Sequence, residues 1–147
     1  MKTCTKCGLS QPLTEFNTTG PKRYSSNTCK SCQSKHRTDW TNKNWRNYFS
    51  RLVKSDRHKQ VTADDCISIY EKQNGLCAIT GIPLTRVAGQ GRVYTNASMD
   101  RIETGGPYTV DNVRLVCYIV NVMRNDMQDN ELLWWSKQIT KGLEETQ

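Results

Sequence analysis

Apolar residues along this chain fall into short, separated groups, and each group carries its own periodicity. In the polar, basic stretch 38–60, Trp45, Phe49 and Leu52 or Val53 recur at helical spacing, which predicts an amphipathic basic helix. A second helix is expected over 63–74, burying Cys66, Ile67, Ile69 and Tyr70. Thr62-Ala-Asp-Asp65 would start it as a capping box with Asp in place of Glu, and Asn74-Gly75 would stop it. Leu76 to Gly81 reads as a knuckle-like turn, and residues 84–96 as a loop or irregular hairpin. The period then changes to two. Ser98 to Glu103 is a short strand candidate, Thr104 to Tyr108 a loop, and Val113-Arg-Leu-Val-Cys117 a second strand. Tyr118 to Asn125 predicts a helix packed directly after that strand. A last helix over 129–142 puts Leu132, Leu133, Trp135 and Ile139 on one side. Trp134 beside Trp135 is one aromatic too many for a single buried face, which hints at a partner surface.

The chain has 147 residues, 35% hydrophobic, with a mean hydropathy of −0.74. Small domains this polar commonly need a metal or disulfides to hold their fold. The sequence contains no apolar run long enough to span a bilayer. The N-terminus has no apolar stretch behind its charges, so a signal peptide is not expected. The net charge is +7. Residues 1–60 carry 13 Lys and Arg against Glu15, Asp39 and Asp56, whereas residues 61–147 carry eight against eleven acids. That asymmetry points to a polyanion held mainly by the first half, and DNA is the expected partner.

Seven cysteines bear on the chemistry. Cys4-Thr-Lys-Cys7-Gly8 and Cys29-Lys-Ser-Cys32 are two Cys-x-x-Cys knuckles, each able to offer two thiolates from one turn. An intracellular, reducing compartment is the default expectation, and there they read as one structural zinc site with four protein ligands, ahead of two disulfides or free thiols. Cys66 is expected in the core.

Ser98-Met-Asp-Arg-Ile102, Gly105-Gly-Pro-Tyr-Thr-Val-Asp-Asn112 and Val113-Arg-Leu-Val-Cys-Tyr-Ile-Val-Asn121 together resemble the HNH, or ββα-metal, endonucleases over roughly residues 74–126. Phage homing nucleases, short zinc-bearing restriction enzymes and endonuclease VII-type resolvases are the nearest in pattern. Residues 1–37 are similar to the Cys-x-x-Cys ribbon that begins many small HNH proteins. The resemblance implies an α+β fold: a small ββα-metal core over 61–147, a zinc ribbon over 1–37, a basic helical DNA-binding linker over 38–60, and flanking helices. It implies Asp100 and Asn121 as ligands of a catalytic Mg²⁺ or Mn²⁺, with Asn112 bracing the loop. Such hard cations suit oxygen ligands and keep open positions for a phosphate. The expected setting is the cytoplasm of a bacterial or phage-infected cell, with no membrane partner.

Two positions depart from the family. Arg101 stands where the family has its general-base His; an Arg stays protonated, but it can hold a phosphate by paired hydrogen bonds. The base is then left open among His58, Tyr118, Glu103 and a metal-bound hydroxide, while His36 reads as a basic-region residue. Of the second zinc site in many relatives, only Cys77 and Cys117 remain. No second zinc is therefore expected, with Ile79, Val116, Ile119 and Val120 packing instead. Lys35, Arg37, Lys43, Arg46, Arg51, Lys54 and Arg57 are the principal candidate phosphate contacts, joined by Lys22, Arg23 and Lys30. Trp40 and Trp45 read as packing residues ahead of base-stacking ones. One site per chain cuts two strands through two chains or two events, which makes a homodimer one arrangement. The competing readings are a DNA-binding protein on a catalytically degenerate scaffold, and a zinc-ribbon protein that binds RNA or another protein.

Overall fold

The computed structural model describes residues 1–19, 24–55, 58 and 60–146. Lys22, Arg23 and Arg57, expected to contact phosphate, lie outside them. Two short antiparallel pairs open the chain: β1 (Lys2–Thr3) with β2 (Ser10–Gln11), and β3 (Phe16–Thr19) with β4 (Tyr24–Cys29). Helix α1 (Lys30–Asn42) begins directly after Cys29, so it crosses the boundary expected at residue 37. Helix α2 (Trp45–Leu52) follows a break at which Asn44 caps it, its side chain accepting from the Asn47 amide. The single basic helix expected over 38–60 is thus the end of α1 plus α2. Asn at an N-cap competes with continued helix, and that is why the chain turns here.

Helix α3 (Ala63–Lys72) starts on the expected capping box, with Thr62 and Asp65 each receiving the other's backbone amide. It stops at Asn74 and Gly75, whose φ values of 54° and 71° suit an αL cap. The chain then builds β5 (Ala97–Arg101), β6 (Val113–Cys117) and α4 (Tyr118–Arg124) in unbroken order. Strands β5 and β6 pair antiparallel with Asp100 opposite Arg114 and Ala97 opposite Cys117. Gln73, at the end of α3, clasps β6. Its amide nitrogen donates to the Leu115 carbonyl at 2.8 Å, and its oxygen accepts from the Leu115 amide at 3.0 Å.

One core joins α2, α3 and the β5–β6–α4 unit through Phe49, Cys66, Met99, Leu115, Val116 and Cys117. Trp45 belongs to it, its ring 4.3 Å from Tyr70 and 5.2 Å from Phe49 between centroids. Trp40 is exposed. A smaller cluster of Cys4, Phe16 and Cys29 lies under the first knuckle. The long last helix, α5 (Asp129–Glu145), buries only Leu132, while Leu133, Trp134, Trp135 and Ile139 stay more than half exposed. The apolar side read from its sequence is therefore largely uncovered. Among the described residues, no helix is long and apolar enough to cross a membrane.

Candidate functional site

The two knuckles meet. The sulfurs of Cys4, Cys7, Cys29 and Cys32 lie within 4.8 Å of one another. A tetrahedral zinc with bonds of about 2.3 Å needs sulfurs about 3.8 Å apart, so a small contraction closes the site. The donor set fits. Amide groups of Cys29 and Lys6 point at the Cys4 sulfur from 3.3 and 3.4 Å. Hydrogen bonding from the backbone of Cys29 and Cys7 holds the Cys4 thiol down at about 6. Cys32 is pushed up to about 12 by its contact with the Cys29 sulfur and by burial. Four thiols this close cannot all ionise alone; a dication resolves that conflict. With four protein ligands such a metal has no open position, and its role is structural.

Cys77 and Cys117 also meet, the Cys117 amide donating to the Cys77 sulfur at 3.3 Å. Burial opposes ionisation of Cys77, but hydrogen bonds from Thr80 and the Cys117 amide outweigh it and lower its pKa. Val116 and Val120 are buried beside them, with Ile79 and Ile119 packed on the same core.

The β5–β6–α4 unit carries the other expected residues. Asn112 spans the loop with its side chain: its oxygen accepts from the Glu103 amide at 2.9 Å, and its nitrogen donates to the Pro107 carbonyl at 2.9 Å and the Glu103 carbonyl at 3.3 Å. Gly106 is required by that brace, since a Cβ there would lie 2.8 Å from the Asn112 amide nitrogen.

Arg101, at the end of β5, donates to the Gly106 carbonyl at 3.1 Å and sets its guanidinium 5.0 Å from the Tyr108 ring centre. His58 contacts the same ring, its centre 4.5 Å from that of Tyr108, edge to face. Nδ1 of His58 lies 3.1 Å from the Leu52 carbonyl, which can only accept. When the ring is neutral, that contact puts its proton on Nδ1 and makes Nε2 the acceptor. Two of the three expected catalytic residues, His58 and Arg101, thus share Tyr108, and the third, Asn112, shapes the loop on which Tyr108 sits. The sequence singled out no role for Tyr108 itself.

Asp100 is placed differently. Its side chain is 4% exposed, and both oxygens are taken: Oδ1 by Nη1 of Arg124 and Oδ2 by Nε of Arg114, each at 2.9 Å. Both arginines also reach Asp129 at the start of α5. Asn121 turns its amide nitrogen to β5, donating to Ser98 Oγ at 2.7 Å and the Met99 carbonyl at 3.1 Å. The expected clasp of a Mg²⁺ or Mn²⁺ between Asp100 and Asn121 does not fit this donor set. A dication there would sit against two guanidinium groups, and the Asn121 atom facing β5 cannot ligate. Arg114, Arg124 and Asp129 were not visible as partners in the sequence; the β5–β6 register brings Arg114 to Asp100, and the packing of α4 and the start of α5 brings Arg124 and Asp129.

Of the expected phosphate contacts, Lys35, Arg37, Lys43, Arg51 and Lys54 are exposed. Arg46 is exposed but paired, its two terminal nitrogens donating to Asp64 at 2.5 and 2.9 Å.

No family model matches the chain, and no curated protein matches it. Among solved structures it is similar to the rare-cutting HNH restriction endonuclease PacI, at 21% identity over 97% of this chain and 95% of that one, with a TM-score of 0.43. A likeness that loose leaves the functional argument to the geometry above.

Proposed function

We propose that this chain is a DNA endonuclease that hydrolyses phosphodiester bonds at the face shared by Arg101, Tyr108 and His58. The observation that carries the reading is the convergence of His58 and Arg101 on one tyrosine ring from segments 43 residues apart in sequence. Each then has a defined task. The Arg101 guanidinium donates paired hydrogen bonds to a phosphate and offsets the charge that grows on it during attack. His58, with Nε2 as the acceptor, takes the proton from the attacking water. Asn112 keeps the 103–107 loop, and hence Tyr108, in register with both. The basic first half, tied by a structural zinc at its four cysteines, supplies most of the sequence-independent attraction to DNA. No step in this mechanism runs through Asp100 or Asn121.

A second reading has its own support. Asp100 locked between two arginines is what a scaffold that binds DNA without cutting it would show. Supercoiled plasmid incubated with the protein in Mg²⁺, Mn²⁺ or EDTA, beside a gel shift on the same DNA, separates the two. The nuclease reading expects nicked or linear product. Binding without product at high protein concentration, across varied DNA, overturns it in favour of the binder.

A further inference from the structure

Asp100 and Arg101 are adjacent, yet alternation along β5 sends their side chains to opposite faces of the hairpin. Arg101 meets Tyr108 on one face. Asp100 faces Arg114, Arg124 and, through them, Asp129 on the other. We infer that Asp100 is a positioning residue, the buried centre of a four-membered Arg–Asp cluster that fixes the backbone at Arg101, and not a ligand for a divalent ion. The positioning half of this inference rests on the proposed role of Arg101 in holding phosphate.

Arg124 is the link. It is 1% exposed, and each of its three guanidinium nitrogens donates. Nη1 donates to Asp100 and to the Arg101 carbonyl at 2.9 Å each, Nη2 to the Ile102 carbonyl at 3.0 Å, and Nε to Asp129 at 2.8 Å. It therefore grips the two carbonyls at and just after Arg101 while Asp100 and Asp129 hold it from behind. Arg114 completes the cluster, with Nε on Asp100 and its terminal nitrogens on Asp129 at 2.6 and 2.5 Å. Two cations and two anions balance. For Asp100 to ligate a dication, Arg124 would have to leave, stranding two part-buried carbonyls, or remain as a like charge in contact with the ion. Neither describes a metal ligand. The cluster also ties the start of α5 to the hairpin, so a residue of the last helix bears on the geometry of Arg101.

The test compares Asp100→Asn with Asp129→Asn, because the two readings treat them oppositely. On zinc-loaded protein, Mn²⁺ affinity is followed by electron paramagnetic resonance and the thermal midpoint by circular dichroism. The cluster predicts that both variants melt lower, by about 4 °C or more, and that neither changes Mn²⁺ affinity by more than about twofold. A parent protein with no measurable Mn²⁺ binding meets the same expectation. Loss of Mn²⁺ affinity by tenfold or more in Asp100→Asn alone overturns the inference whatever the melting shows, and so does an unchanged midpoint in both variants. Neither readout uses cleavage, so failure of the nuclease reading is told apart from failure here. Positioning is read from duplex affinity at a temperature where every variant is folded. Asp129→Asn and Arg101→Gln each weaken binding, and the double variant binds no worse than Arg101→Gln. Losses that multiply overturn the positioning role.

Discussion

Replacing Arg124 with Met keeps most of its aliphatic volume and removes the guanidinium. Four hydrogen bonds go with it, to Asp100, Asp129, and the carbonyls of Arg101 and Ile102. Asp129 is half exposed and keeps Arg114, so its loss is small. Asp100 is 4% exposed and is left with Arg114 as its one guanidinium partner. Removing one member of a buried ion pair costs about 3–5 kcal/mol, and the two carbonyls lose a charged donor besides. Partial hydration after the helix end relaxes recovers some of this, which leaves roughly 4 kcal/mol. For a chain of this size that lowers the melting midpoint by about 8–16 °C. Urea unfolding followed by circular dichroism, with zinc saturating, measures it. Asp100→Asn in the Arg124→Met background should recover part of the loss, because the stranded charge is then gone. A cost below about 1 kcal/mol for Arg124→Met, or a double variant no better than the single, refutes the cluster as a structural centre.

Metal analysis should find one zinc per chain, lost from Cys4→Ser or Cys29→Ser along with the fold of the first module; a second zinc that survives those changes would place one at Cys77 and Cys117. Asn112→Ala frees the Glu103 amide and two carbonyls and should lower stability by about 1–3 kcal/mol, with an added loss of cleavage as Tyr108 shifts; full activity with the loop demonstrably loosened counts against the Tyr108 face. The Arg114 guanidinium, with help from Arg124, holds the Asp129 carboxyl down at about 2. Its folded-state pKa is depressed, so the stability it contributes is present above the unfolded value of about 3.9 and is lost as pH falls toward 2. Asp129→Asn should accordingly unfold with a shallower acid limb between pH 4 and 2 than the parent, and an unchanged limb contradicts the pairing.

Much of the second half was legible because its signals are local. The capping box at Thr62 and Asp65, the stop at Asn74-Gly75, and the alternation of Val113 to Cys117 each act within a few residues, and the elements sit where those signals put them. Asn112 entered through the family resemblance and not through a local signal, although the three bonds of its side chain reach no farther than nine residues. The Arg–Asp cluster was not legible, because Asp100 meets Arg114 only through strand register, and Arg124 only through the way α4 folds back over β5. A lone sequence fixes neither. Helix α1 was opaque to apolar periodicity because it buries a single polar residue, Thr41, and offers no apolar stripe. Asn44 was the available sign that the basic stretch is two helices. At α5 the stripe was read, but its burial was not earned: an apolar side in sequence says what a helix can cover, not that a partner is present.

Single-turnover nicking of supercoiled plasmid by the parent, Arg101→Gln and His58→Gln, at DNA concentrations where gel shifts show all three bound, tests the Arg101–Tyr108–His58 face. Product is expected from the parent, with a loss of about a hundredfold or more in each variant. Both variants cutting at the parental rate would contradict this expectation, and would move the chemistry away from the Arg101–Tyr108–His58 face.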